Sequence, residues 1–141
     1  MKRNVVITAI AILFSFSLAG CRWGPLYNVK SAHLGSKGKS LKSIGQDIKA
    51  AGRGLGWKMK DIAEGKVQGI LLVSGGKHKA VVVITYNTDT FNITYADSTN
   101  LRYKAAGFTD ADGVHHEKTI HPNYNVWVKK LEETIKNRVG N

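Results

Sequence analysis

Apolar residues recur along this chain in three rhythms, and each predicts a different element. The first is an almost unbroken run from Val5 to Leu18, interrupted by Thr8, Ser15 and Ser17, which follows Met1-Lys2-Arg3 and closes at Cys21. At 14 residues it falls short of the roughly 20 that a permanent membrane-spanning helix needs. The second rhythm has a helical period. Leu41, Ile44, Ile48 and Ala51 share one side of a helix that Ser40 can cap and that Gly52, Gly54 or Gly56 can stop. Gly45 lies inside it at a cost of roughly 1 kcal/mol relative to Ala, so this helix is expected to depend on packing. Pro122 suits the first turn of a second helix, in which Tyr124, Trp127, Val128, Leu131 and Ile135 form the apolar stripe up to about Arg138. Lys129, Lys130, Glu132, Glu133 and Lys136 then read as a solvated outer face, with Glu132 and Lys136 at pairing distance.

The third rhythm, runs of β-formers between turns with a one-sided alternation from Phe91 to Ala96, predicts strands. Val67 to Ser74 is rich in β-formers, Ser74-Gly75-Gly76-Lys77 makes a turn, and His78 to Tyr86 resumes. After Asn87-Thr88-Asp89, the residues Phe91, Ile93 and Tyr95 alternate with Asn92, Thr94 and Ala96. Trp57 to Ile62 reads as a further strand turned by Ala63-Glu64-Gly65, and Leu26 to Val29 as a short one. Asp97 to Pro122 is the least regular stretch. A sheet with one apolar face and two amphipathic helices predicts a two-layer α+β fold. The expected arrangement is an antiparallel meander of three to four strands, with both helices packed on the face bearing Ala80, Val82, Ile84, Phe91, Ile93 and Tyr95. Residues 40–141 read as a single domain, without internal repeats.

The order basic residues, apolar run, small residues is that of a secretory signal. Its ending, Leu18-Ala19-Gly20-Cys21, resembles the lipobox of bacterial lipoproteins. The resemblance implies cleavage before Cys21 and transfer of a diacylglyceryl group to its thiol, a lipid anchor in the membrane. Residues 1–20 are then a signal peptide and residues 21–39 a lipidated N-terminus and basic tether. Arg22, in place of the Asp that commonly retains such proteins in the inner membrane, points to the outer membrane of a Gram-negative envelope. Since Cys21 is the chain's one cysteine, lipidation leaves no thiol for a disulfide. The stretch 57–135 is similar to a group of small, uncharacterised proteobacterial lipoproteins. The likeness rests on Arg53-Gly54-Leu55-Gly56-Trp57, His78-Lys79-Ala80, Phe91 to Ser98, Asn100-Leu101-Arg102-Tyr103 and Ile120 to Trp127. It implies a shared fold and an anchor, and carries no activity.

The net charge of +11 changes the picture because it is unevenly spread. From Arg22 to Lys60 there are nine basic residues and one acid, Asp47, whereas residues 61–141 hold ten basic and nine acidic residues. Each Lys or Arg near an anionic surface contributes on the order of 1 kcal/mol. Arg22, Lys30, Lys37, Lys39, Lys42, Lys49 and Arg53 are therefore candidate contacts to anionic lipid, lipopolysaccharide or cell wall, or else a solubilising face. Nucleic acid, the usual partner of a basic stripe, does not suit an exported lipoprotein.

Candidate chemistry is sparse. Gly38-Lys39-Ser40 invites a phosphate-loop reading, but the spacing requires glycine where His33 stands. His115, His116 and His121 near Asp110 and Asp112 lack the spacing of a zinc site, so no metal and no cofactor is expected. Ser74 sits in no nucleophile elbow, and no pair of carboxylates is placed for acid–base work. Asp97, Asn100, Arg102 and Tyr103 either line a polar patch for a sugar or peptide, or close the turn after the last strand. The expected function is that of a membrane-anchored envelope lipoprotein, a non-enzymatic binding or structural module. The alternative is an accessory subunit of an outer-membrane assembly or transport complex, bound to an envelope protein.

Overall fold

A computed structural model describes residues 23–116 and 118–141. The signal peptide, Cys21 and Arg22 lie outside the described residues.

The alternating segments form one antiparallel sheet. Its strands are β2 (Val29–His33), β3 (Lys58–Ala63), β4 (Lys66–Val73), β5 (His78–Tyr86) and β6 (Thr90–Thr99), in the order β2-β6-β5-β4-β3. β3 to β6 run as a meander, and β2 adds to the free side of β6. Four short strands lie outside this sheet: β1 (Gly24–Pro25) pairs with β9 (Thr119–Ile120), and β7 (Phe108–Thr109) with β8 (His115–His116). Two helices, α1 (Leu41–Gly54) and α2 (Pro122–Gly140), pack together and against the sheet. The fold is the expected α+β arrangement, with five strands in the meander sheet.

The fifth strand corrects one expectation. Residues 29–33 were to belong to a tether, with the short strand ending at Val29. Instead Val29 is buried opposite Ile93, and Ala32 and His33 pair with Phe91 and Thr90. Leu34 follows into the core, its amide donating to the Asp89 carbonyl at 2.8 Å. The strand's Lys, Ser and His content masks it, because an edge strand needs few apolar residues when only Val29 of its five must be buried.

The core lies between sheet and helices. Ala80, Val82, Ile84, Phe91 and Ile93 are fully buried beneath Ile44, Ile48, Tyr124, Val128, Leu131 and Ile135. Ser40 caps α1, its hydroxyl accepting from the Ser43 amide at 3.3 Å. Gly45 and Gly52, both buried on α1, explain why the helix tolerates poor helix formers. A methyl group on Gly45 would collide with the Tyr86 hydroxyl of β5, and one on Gly52 with the Met59 thioether of β3. The glycines set how closely helix and sheet approach.

Candidate functional site

The described chain begins clasped onto the start of α2. Gly24 and Pro25 pair with Ile120 and Thr119. Asn125, in the first turns of α2, holds this segment twice: its amide nitrogen donates to the Pro25 carbonyl at 2.7 Å and its oxygen accepts from the Tyr27 amide at 3.0 Å. The Leu26 amide donates to the Lys118 carbonyl at 2.9 Å. Two turns further along α2, Glu132 accepts from the Tyr27 hydroxyl at 2.7 Å and from the Lys136 ammonium at 2.5 Å.

That network corrects the reading of Glu132 as a solvated residue. Its side chain is only 15% exposed. Burial alone would raise its pKa, but the hydrogen bonds from Lys136 and Tyr27 outweigh it and hold the carboxyl below its ordinary value. The same bond to Glu132, with burial second, raises the Tyr27 phenol. The expected pairing of Glu132 with Lys136 is present.

Around this clasp stand two exposed apolar side chains and three lysines. Trp23 is 38% exposed, and the Lys104 ammonium lies 3.4 Å from the centre of its ring. Lys104 reaches that position because its backbone bridges to Thr119, next to β1. The Lys129 ammonium lies 5.1 Å over the Tyr27 ring. Val126, 62% exposed, follows Asn125 on α2. None of Lys104, Lys118 and Lys129 forms an ion pair among the described residues. Sequence reasoning missed this cluster because its members come from four separated segments. The one available signal was Trp23, two residues after Cys21.

The lysines singled out in the sequence lie elsewhere. Arg22 lies outside the described residues, and Lys30 stands on edge strand β2. Lys37, Lys39 and Lys42 surround the start of α1, next to the far end of α2, where the Lys39 ammonium meets Asp47 at 3.0 Å and the Arg138 carbonyl at 3.5 Å. Lys49 is tied to Asp61 at 2.5 Å, and Arg53 occupies the last turn of α1. Thirteen helical residues separate Asn125 from Arg138, about 20 Å at 1.5 Å per residue. Of the described charges that follow Cys21 in sequence, Lys39 thus stands by the end of α2 rather than beside Trp23.

Beside Lys49, a groove of about 550 Å³ runs between α1 and the β3–β4 hairpin, lined by Leu41, Gly45, Lys49, Asp61, Ile62 and Tyr86 among others. Burial, then the nearby Asp61 carboxylate, raises the Tyr86 phenol. A neutral phenol beside a carboxylate already bound to Lys49 can donate a hydrogen bond but offers no base.

Asp97, Asn100, Arg102 and Tyr103 do not converge. Asp97 bonds Lys79 at 2.8 Å across the sheet, a contact that lowers its pKa. Asn100, in the left-handed conformation at φ 57°, donates to the Lys77 carbonyl at 2.6 Å and ties the end of β6 to the β4–β5 turn. Arg102 is exposed at φ 52°. Tyr103 stacks on Tyr95 with ring centres 4.2 Å apart, and Tyr95 meets Tyr124 edge-on at 5.7 Å. Each residue serves the loop or the core beside it, and the groove includes none of them.

The histidines are likewise dispersed. His121 caps α2, its Nδ1 accepting from the Asn123 amide at 3.2 Å, while His115 faces Thr109 at 3.5 Å. Among the described residues no group of three or more His, Cys, Asp or Glu comes together to hold a metal ion. No described helix is long and apolar enough to cross a membrane.

The sheet side turned away from the helices holds a further feature. Alternation along β4 and β5 places Ile70, Leu72, Val81 and Val83 there, and Leu72 is 45% exposed. The continuous apolar run of β5 was its sequence signal, since a strand solvated on one face should alternate. No family model matches the chain, and neither a curated protein nor a solved structure matches it.

Proposed function

We propose that this protein is a lipoprotein of the bacterial envelope, anchored through acyl chains on Cys21, whose α+β domain is a non-enzymatic binding or structural module. The observation that carries the reading is the signal-like run ending in Leu18-Ala19-Gly20-Cys21. Pro25 and Tyr27, four and six residues after Cys21, are both bonded to Asn125 of α2, so an anchor at Cys21 would lie close to the folded domain. Several acyl chains together hold a protein on a membrane essentially permanently, whereas one chain binds reversibly. Arg22 after the cysteine favours the outer membrane.

Two measurements test it. Protein extracted from membranes is expected to begin at Cys21 and to carry the added mass of a diacylglyceryl group. Cys21→Ala is expected to move the chain out of the membrane fraction or leave its signal uncut. An unmodified Cys21 in the mature chain overturns the proposal.

A second reading, an accessory subunit of an envelope complex, is favoured by the apolar strip Ile70, Leu72, Val81 and Val83. Leu72, 45% exposed at the end of this strip beside the buried Val81, suits a protein partner better than water. Crosslinking in intact cells through Leu72→p-benzoylphenylalanine tests it: one defined protein adduct supports the subunit reading, and no protein adduct counts against it.

A further inference from the structure

The start of the described chain decides which end of the domain would meet the membrane. Two residues of chain span at most about 7 Å, so Cys21 lies within that reach of Trp23. Trp23 is not at the end of a free arm, because β1 pairs with β9 and Asn125 binds both Pro25 and Tyr27. An acylated Cys21 therefore brings the corner formed by Trp23, the start of α2 and β9 to the bilayer.

That corner has the make-up of an interfacial surface. Trp23 and Val126 are exposed, and tryptophan prefers the headgroup level, where its ring is apolar and its N–H is solvated. Lys104, Lys118 and Lys129 are exposed and make no ion pairs among the described residues. The closest described acid on α2, Glu132, is occupied by Tyr27 and Lys136, and Glu133 by Lys130. By contrast, Lys39 and Lys49 at the other sites are neutralised by Asp47 and Asp61.

We infer that the domain docks on the anionic phospholipid headgroups of its own membrane through Trp23, Val126, Lys104, Lys118 and Lys129, with the start of α1 pointing away. This rests on the anchored-lipoprotein reading. The headgroup phosphates would accept hydrogen bonds from the three ammonium groups while Trp23 and Val126 enter the interface, so the anchor sets an orientation as well as a location.

The test uses the full, acylated chain in cell membranes and in vesicles, with a photoreactive residue placed singly as Trp23→p-benzoylphenylalanine, Val126→p-benzoylphenylalanine or Lys37→p-benzoylphenylalanine. Phospholipid adducts are expected at positions 23 and 126, with at least a fivefold lower yield at 37. In vesicles, adding phosphatidylglycerol to phosphatidylcholine should raise the yield at 126 severalfold, and Lys104→Gln with Lys118→Gln and Lys129→Gln should abolish that increase. Equal yields at all three positions, adducts chiefly at 37, or protein adducts at 23 and 126 overturn the orientation while leaving the anchor in place. A mass spectrum showing Cys21 without acyl chains overturns the anchor reading itself, and this inference with it.

Discussion

The two ends of α2 show how differently charge can be deployed on one small domain. At the start of the helix, Lys104 and Lys129 lie over the Trp23 and Tyr27 rings and, like Lys118, form no ion pair among the described residues. At its end, Lys39 and Arg138 both approach Asp47, at 3.0 and 3.7 Å. The first end is built from residues far apart in sequence, whereas the second recruits the basic run that follows Cys21. Proximity to an anchor along the chain is therefore no measure of proximity in space. A chain that enters its fold at once carries its nearest charges away along strand and helix.

The helices join the two ends, so the deepest test of the comparison is to loosen them. Ile48→Ala removes a fully buried side chain of α1 from the core between helix and sheet. It is expected to cost about 2–5 kcal/mol, read as a lower denaturation midpoint. Both ends should then lose hydrogen-exchange protection together. Loss at one end alone would mean that the ends fold independently.

Asn125→Ala separates the ends instead. It deletes two hydrogen bonds to the clasped segment, an expected loss of about 1–3 kcal/mol. Exchange should rise at Tyr27 and leave the start of α1 unchanged.

Gly45→Ala probes the opposite side, expected to destabilise by about 1 kcal/mol despite the better helix propensity of alanine, because the new methyl meets the Tyr86 hydroxyl. Combining it with Tyr86→Phe should recover most of that loss. If the single variant is more stable than the parent, the close approach of α1 to β5 is not limiting.

The smallest effect is electrostatic and depends on pH. Glu132 has a pKa lowered in the folded state, so its contribution is full above the ordinary value of 4.5 and is lost as pH falls through the folded value. Glu132→Gln should flatten the acid side of a stability-against-pH curve by less than about 1 kcal/mol. The Lys39–Asp47 pair at the other end should respond chiefly to salt, since Asp47→Asn there removes a partly exposed pair.

Much of the fold was legible along the chain. The bounds of β5 coincide with the run of β-formers from His78 to Tyr86, and α1 begins after the Ser40 cap. Both follow from local rules, a run of β-branched residues between turns and a hydroxyl placed to satisfy a free amide. The strand at Val29–His33 was obscured because its partner is β6, some 60 residues later, and its own sequence carries little apolar pattern. The residues from Asp97 to Tyr103 fit either a polar patch or a closing turn, because sequence adjacency does not say where each side chain goes. In the fold Asn100 turns the backbone, sending Tyr103 back to stack on Tyr95 while Asp97 stays with Lys79.

By itself the sequence determined the α+β class, the two helices and the central strands, together with the signal-like run and its single cysteine. Those properties reside in the order of neighbouring residues, where periodicity, caps and short motifs act within a few turns or strands. Only the tertiary structure decided which lysines stand near the start of the fold and which are consumed in ion pairs. It also decided that Glu132 is held by Tyr27, and that Gly45 marks a close approach to the sheet. These are contacts between segments as much as 105 residues apart, set by how the helices and strands pack, and no local pattern encodes them.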